Sequence, residues 1–92
     1  MIKVIAVTVL DDYNLLLLFS NGEKRILDMK PQLHGAFEEL LEVSKFEQVK
    51  IVHGALTWFR ESSYELDICP NVTYDESVSF NHVSTTVATD LR

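Results

Sequence analysis

Short apolar runs separated by turn residues make up the first third of the chain. Ile2–Val9 is rich in isoleucine and valine and contains no breaker, which predicts a β-strand. Asp11–Asp12 predicts a turn, and Tyr13–Phe19 predicts the returning strand. Asn21–Gly22 then offers the positive φ angles of a type I′ hairpin turn, followed by a third strand over Glu23–Asp28. The pattern therefore predicts a three-stranded antiparallel meander.

Helical spacing replaces strand spacing after Pro31. Four apolar residues fall on one side of a helix of about two to three turns: Leu33, Phe37, Leu40 and Leu41. Three acidic residues fall around the other side: Glu38, Glu39 and Glu42. Ser44–Glu47 has the form of a capping box, in which the serine hydroxyl accepts from the Glu47 amide, so a second short helical turn is predicted to start at Ser44.

The rest of the chain returns to strand-like composition. Gln48–His53, Ala55–Phe59 and Tyr64–Ile68 are apolar or β-branched and predict three more short strands. We expect an α+β domain over residues 1–76, with helices on one side of antiparallel strands. Residues 77–92 are rich in serine and threonine with scattered apolar residues, which fits either an edge strand or a flexible tail.

Both faces of the second strand are apolar. Tyr13, Leu15, Leu17 and Phe19 occupy one parity, and Leu16 and Leu18 occupy the other. One helix covers one face, so the other packs against later strands or against a second copy of the chain. The pattern therefore favours a homodimer.

The charge is uneven. The 92 residues carry 8 basic and 14 acidic side chains, a net charge of −6, and all of that excess lies beyond residue 36. Direct binding to nucleic acid is disfavoured because phosphates would be repelled. The acidic half is either an ordinary solvated surface or a surface for a basic protein partner.

Composition bounds the class of protein further. The longest apolar run, Leu15–Phe19, is far shorter than the roughly 20 residues of a membrane span, and the first residues lack the pattern of a signal peptide. A single cysteine, Cys69, allows no internal disulfide and no cysteine-based zinc site. We expect a cytoplasmic protein with no membrane association.

Several stretches together resemble a bacterial family of domains of unknown function, number 2442 in its series. They are Leu10–Leu15, Phe19–Pro31, Gly35–Leu40, Phe46–Ile51, Trp58 and Asp67–Tyr74. The resemblance runs from about Ile2 to Glu76. It implies a small β-rich domain with one main helix and no established activity, in a family whose members sometimes carry a helix-turn-helix domain or occur in a toxin–antitoxin-like arrangement.

This chain departs from the family pattern in three places. Arg60–Ser63 replaces a shorter Asn-Gly turn, Asn71 stands where aspartate is usual, and the residues beyond Glu76 show no helix-turn-helix periodicity. The last departure argues against DNA binding by this chain unless a partner supplies it.

Signs of catalytic or metal chemistry are few. His34, His53 and His82 have no ligand-spaced neighbours, and the chain lacks nucleophile-elbow, phosphate-loop and zinc-protease motifs. We therefore expect no catalytic residues, no metal site, no cofactor and no enzymatic activity.

The leading hypothesis is a non-enzymatic protein–protein interaction module, antitoxin-like or regulatory, that forms a homodimer. Trp58 and Phe59 are either an aromatic anchor for a partner or one ring in the core and one beside it. The candidate partner-binding acids are Glu38, Glu39 and Glu42. The alternative is a small ligand-binding domain or enzyme with a pocket between sheet and helix, whose candidate polar groups are Asp28, Asp67 and Tyr74. For Asp28 and Asp67 the sequence also fits a structural role, capping the turns before Pro31 and Pro70.

Overall fold

The structure, a computed structural model, describes residues 1–59 and 65–80. Its strands are β1 (Val4–Val9), β2 (Asn14–Phe19), β3 (Lys24–Asp28), β4 (Lys50–Val52), β5 (Ala55–Trp58), β6 (Leu66–Ile68) and β7 (Val78–Ser79). Its α-helices are α1 (Val43–Phe46) and α2 (Pro70–Glu76), and two 3₁₀ helices span Lys30–Gln32 and Gly35–Leu41. The predicted α+β class is confirmed.

Four strands form the first sheet, in the order β1-β2-β3-β7, and every neighbouring pair is antiparallel. The predicted meander of the first three strands is thus confirmed. β7 extends the sheet by pairing Val78 with Ile26 and Ser79 with Arg25. The sequence left residues 77–92 as either an edge strand or a flexible tail. Val78–Ser79 forms an edge strand, and residues 81–92 lie outside the described part of the chain.

The type I′ turn predicted at Asn21–Gly22 is wrong in type, although the hairpin is there. Only Gly22 takes a positive φ, of 92°. Its amide donates to the Phe19 carbonyl at 2.9 Å, and the Phe19 amide donates to the Glu23 carbonyl at 2.9 Å. These bonds make a three-residue loop that closes on a glycine bulge.

Positive φ angles occur at two successive residues in the first hairpin instead. Asp12 has φ of 60° and Tyr13 has φ of 62°, the signature of a type I′ turn. Tyr13 is bulky for that region, and it is held by its hydroxyl, which donates to the Leu41 carbonyl, and by an edge contact with the Phe46 ring. The turn is therefore fixed by a contact with residues about 30 positions away.

The single amphipathic α-helix predicted after Pro31 is replaced by shorter segments. Gly35–Leu41 is a 3₁₀ helix, Leu33 precedes it, and Leu41 is 49% exposed. In the tighter 3₁₀ spiral residues three apart line up, so Phe37 and Leu40 share the inward side while Leu41 turns outward.

The predicted second helical turn is present, but it starts one residue early and without a capping box. Glu42 is the N-cap of α1 and no side chain caps it. The Ser44 hydroxyl instead donates to the Glu42 carboxylate at 3.1 Å.

The second sheet has the order β4-β5-β6 and is also antiparallel. His53 and Gly54 join β4 to β5, both with positive φ. The three predicted strands are confirmed with shorter bounds, since β6 begins at Leu66.

The sequence interpretation missed α2 altogether. Pro70 stands at its first position, where a proline without an amide hydrogen is favoured. Thr73 is fully buried, and its hydroxyl donates to the Cys69 carbonyl at 3.1 Å. The helix packs against β3 and β5 and so joins the two sheets.

One core lies between the two sheets and the helical segments. The first sheet contributes the alternating residues Leu15, Leu17 and Phe19, each 0% exposed. Trp58 from the second sheet and Leu40 from the 3₁₀ helix are likewise fully buried. In the described ranges, no helix is long and apolar enough to cross a membrane.

Candidate interaction surface

Strand alternation assigns the residues of the first sheet to two faces. On β2, Leu15, Leu17 and Phe19 point into the core, so Leu16 and Leu18 point away from it. The strand registers place their neighbours on the same side. We call this side the outer face, and its residues are Ala6, Thr8, Asn14, Leu16, Leu18, Lys24, Ile26, Asp28 and Val78.

The outer face is apolar and separate from the core. Val78 is 52% exposed, and Ala6 and Thr8 are exposed. Leu16, Leu18 and Ile26 are half-buried by their strand neighbours, and none of them packs against the core cluster. A shallow depression of about 200 Å³ lies over β1 and β2 on this side.

The charge of the outer face is small. Its charged residues are Lys24 and Asp28, which stand at opposite ends of β3, and the Asp28 carboxylate lies 3.0 Å from the Lys30 ammonium. Lys24 lies opposite Leu18 in the register of β2 and β3. Long lysine stems lie along apolar surface while the ammonium reaches water, so this residue adds to the apolar area.

Trp58 lies in the core and Phe59 lies beside it, which is the arrangement that the sequence offered as the alternative to an aromatic anchor for a partner. Trp58 is 0% exposed, and its indole Nε1 donates to the Phe46 carbonyl at 3.0 Å. Phe59 is half-buried beside the core, with φ of 58°. Because Trp58 is enclosed, it is a packing residue in this structure and does not present a surface to a partner.

Two of the three candidate partner-binding acids have a partner within the chain. The Lys45 ammonium lies 2.7 Å from the Glu39 carboxylate and 3.7 Å from that of Glu42. Glu38 is exposed in the first turn of the 3₁₀ helix. The acidic side of this segment is thus partly neutralised by Lys45.

Asp28 acts at a turn. Its carboxylate accepts from the Lys30 amide at 3.0 Å and lies 3.0 Å from the Lys30 ammonium, which also contacts Asp12. Partial burial pushes the pKa of Asp28 upward, but the hydrogen bonds from Lys30 outweigh it and hold the pKa below 3.8. The geometry agrees with the capping role considered for this residue.

Asp67 and Tyr74, the other candidate pocket residues, make contacts elsewhere. Asp67 is exposed on β6 opposite Thr57. Tyr74 lies on α2 and contacts the hairpin between β2 and β3. The three candidates therefore belong to different local networks, and the structure does not bring their side chains into contact.

Tyr74 belongs to a polar cluster that sequence reasoning missed. Its hydroxyl donates to the Glu23 carboxylate at 2.5 Å, and the Arg25 guanidinium lies 4.1 Å from the centre of its ring. Arg25 also donates to the carboxylate of Glu23 at 3.0 Å and to Ser77 through two bonds of 2.7 Å. No sequence signal links these residues, because Glu23 and Tyr74 are 51 positions apart.

The cluster is electrostatically coupled. The hydrogen bond from Tyr74, supported by Arg25 and opposed by desolvation, holds the pKa of Glu23 below 4.5. The same bond raises the pKa of Tyr74 above 10.0. Because these contacts fasten α2 and Ser77 to β3, the cluster stabilises the tertiary structure.

The space between sheet and helix is filled where β3 meets α2. A void there holds only about 10 Å³, room for about one water molecule, and is lined by Leu27, Gln32, Ile68, Val72, Thr73 and Glu76. Within residues 1–59 and 65–80, no three side chains of metal-binding type come together. His34 and His53 are exposed, and His82 lies outside those ranges.

Comparisons with known proteins gave one match. The model of the family described as "Protein of unknown function (DUF2442)" matches residues 4–79. The curated proteins gave no match, and neither did the solved structures.

Proposed function

Since the chain belongs to the DUF2442 family, whose description assigns no activity, we propose its function from the geometry of its surface. The domain is a protein–protein interaction module without catalytic activity, which binds a partner protein on its outer face. An antitoxin-like or regulatory role fits such a module. A cytoplasmic location belongs to the same proposal, since one cysteine provides no internal disulfide.

The observation that carries the proposal is an apolar sheet face that the described residues leave open. An antiparallel sheet with one wet face normally alternates apolar and polar residues. Here Leu16, Leu18 and Ile26 occupy the wet face at its centre, with Val78 at the edge. Contiguous apolar surface of this kind marks sites of protein association, because covering it removes apolar area from water.

Charge supports a basic partner with an apolar contact surface. The chain carries a net charge of −6, which attracts basic proteins over distances of about 10 Å and repels nucleic-acid phosphates. The carboxylate of the outer face, that of Asp28, lies at the end of β3 and is paired with Lys30, so docking over Leu18 and Ile26 leaves it at the margin of the contact. Apolar contact then supplies affinity, while net charge supplies selection during encounter.

The test replaces Leu18 by glutamate. In the strand register this side chain lies opposite Lys24, so the new carboxylate gains a cross-strand cation and the folded state tolerates it. Val43→Glu is the matched control, because Val43 is 52% exposed on α1, outside the outer face.

Tagged wild-type protein and both variants are used to capture partners from an extract of the native cell. Far-UV circular dichroism establishes that all three are folded. We expect wild type and Val43→Glu to retain the same stoichiometric protein and Leu18→Glu to lose it. Retention by Leu18→Glu at the wild-type level would remove the outer face as the binding site, and absence of any bound protein would contradict the interaction role.

A further inference from the structure

β1 is an edge strand, and β4 lies close to it without forming a ladder of backbone hydrogen bonds with it. Among the described residues it has one ladder partner, β2. On its other side the Val4 amide donates to the Gly54 carbonyl at 2.9 Å, where the β4–β5 turn touches the strand. From Ile5 to Val9 the described part of the chain makes no further backbone hydrogen bond on that side.

The direction of the open groups follows from the hairpin. The Leu10 amide donates to the Asn14 carbonyl at 2.8 Å and therefore points toward β2. Successive residues of an antiparallel strand point their backbone groups to alternate sides, so those of Val9 and Val7 point away from β2. These two residues present donors and acceptors that fit another β-strand.

The sequence of β1 lacks the usual protection against strand pairing. Val4–Val9 contains no charged residue and no proline, and Ile5 is 56% exposed. A register shift between Val4 and Ala6 is confined to one end, and Ala6–Val9 pairs regularly with β2. At the other edge of the sheet, β7 is only two residues long.

Charges at the two ends of β1 favour an antiparallel copy of itself. Exposed Lys3 precedes the strand and exposed Asp11 follows it, and neither side chain forms an ion pair with the described residues. Eight residues of strand span about 26 Å, so the two charges within one chain are too far apart to interact. Antiparallel pairing brings the start of one strand to the end of the other, and hence Lys3 of each copy toward Asp11 of its mate.

We propose that β1 pairs antiparallel with β1 of a second copy across a two-fold axis at Val7, giving one continuous eight-stranded sheet. The Val7 residues of the two copies exchange backbone hydrogen bonds, Val9 of each copy lies opposite Ile5 of the other, and Lys3 and Asp11 lie opposite each other as two equivalent charge pairs. This interface is isologous and closed, so the assembly stops at a dimer. The inference uses the edge of the sheet and does not depend on the proposed function of the outer face.

Charge reversal tests the pairing. Lys3→Asp and Asp11→Lys each turn two attractions into two repulsions, and the double variant restores both with the signs exchanged. Sedimentation equilibrium of the full chain at low salt should give a dimer for wild type. We expect each single variant to raise the dissociation constant about tenfold and the double variant to return it to within about twofold of wild type. Lys50→Asp is the control, because it makes the same change of charge at an exposed residue of β4 and should leave the constant close to that of wild type.

Amide hydrogen exchange supplies a readout that identifies the edge. The Val7 and Val9 amides should become more protected as protein concentration rises, whereas the Ala6 and Thr8 amides, which point toward β2, should be protected at every concentration. A chain that stays monomeric at millimolar concentration would overturn the proposal. The proposal would also be overturned by a dimer whose dissociation constant is no lower for the double variant than for the single variants and whose Val7 and Val9 amide hydrogens exchange freely. If Leu18→Glu dissociated that dimer, its interface would be the outer face instead.

Discussion

Neighbouring leucines on β2 should differ sharply in what they contribute to stability. Leu17 is 0% exposed in the core, and Leu18 is half-buried on the outer face. The two side chains are chemically identical and adjacent in the same strand, so strand propensity and backbone entropy cancel in the comparison. Replacing each one separately by alanine isolates the effect of the face.

The expected difference is about 2–3 kcal/mol. Leucine to alanine removes three carbons, about 2.4 kcal/mol of transfer free energy at full burial. Leu17 is enclosed, so a cavity adds to this and the loss should be about 3–4 kcal/mol. At Leu18 about half the transfer term applies and no enclosed cavity forms, so the loss should be about 1 kcal/mol. A domain of this size has a free energy of unfolding of about 5–14 kcal/mol, so both losses are measurable.

Urea unfolding followed by tryptophan fluorescence measures both variants. Trp58 is the chain's one tryptophan and is fully buried, so its emission reports loss of the core. The titration is run at low micromolar protein, where self-association contributes least to apparent stability. Equal losses for Leu17→Ala and Leu18→Ala under these conditions would refute the assignment of an open outer face.

Two further measurements follow from turn and cluster geometry. Gly54→Ala should lower the free energy of unfolding, measured in urea, by about 2–4 kcal/mol, because φ is +82° and a Cβ would lie 2.6 Å from that of Lys3. Gly22→Ala, with φ of +92° and no atom within 4 Å of the new Cβ, should lower it by about 1–2 kcal/mol from backbone strain alone. The pKa of Glu23 is lowered by folding, so its contribution to stability is present above pH 4.5 and is lost as pH falls through the folded-state pKa. The raised pKa of Tyr74 adds a contribution that is present below pH 10.0 and is lost as pH rises through its own folded-state pKa. Tyr74→Phe should flatten both limbs of the pH–stability profile measured by urea unfolding, and an unchanged profile would contradict the coupling.

Local sequence signals determined the strands and hairpins of this protein. Runs such as Ile2–Val9 and Tyr13–Phe19 predict strands because β-branched and apolar residues follow one another between turn residues, and this information lies within a few residues. The parity of Leu15, Leu17 and Phe19 likewise follows from the sequence alone, because side chains alternate in any β-strand. The resemblance to the DUF2442 family rested on stretches of this kind, and the family match over residues 4–79 confirmed it.

Local signals gave the wrong detail where distant contacts outweigh them. The type I′ geometry formed at Asp12 and Tyr13, where the Tyr13 hydroxyl reaches Leu41, and not at Asn21–Gly22. The α-helical spacing after residue 31 gave way to a 3₁₀ helix whose buried residue is Leu40. Helix α2 is different, because Pro70 at its first position is a local signal for a helix start. The sequence interpretation took this proline as part of a turn.

Tertiary structure alone decided which apolar face of β2 became the core and which stayed on the surface. Both faces of this strand are apolar. The alternation of side chains therefore assigns each residue to one face or the other, but it does not determine which face is covered. The choice was made by Trp58, Phe46 and Leu40, which come from distant elements and pack with Leu15, Leu17 and Phe19 in one cluster. Burial depends on where those elements dock, and that is a property of the whole chain and not of any window along it. The candidate interaction surface could therefore be located only after the fold was known.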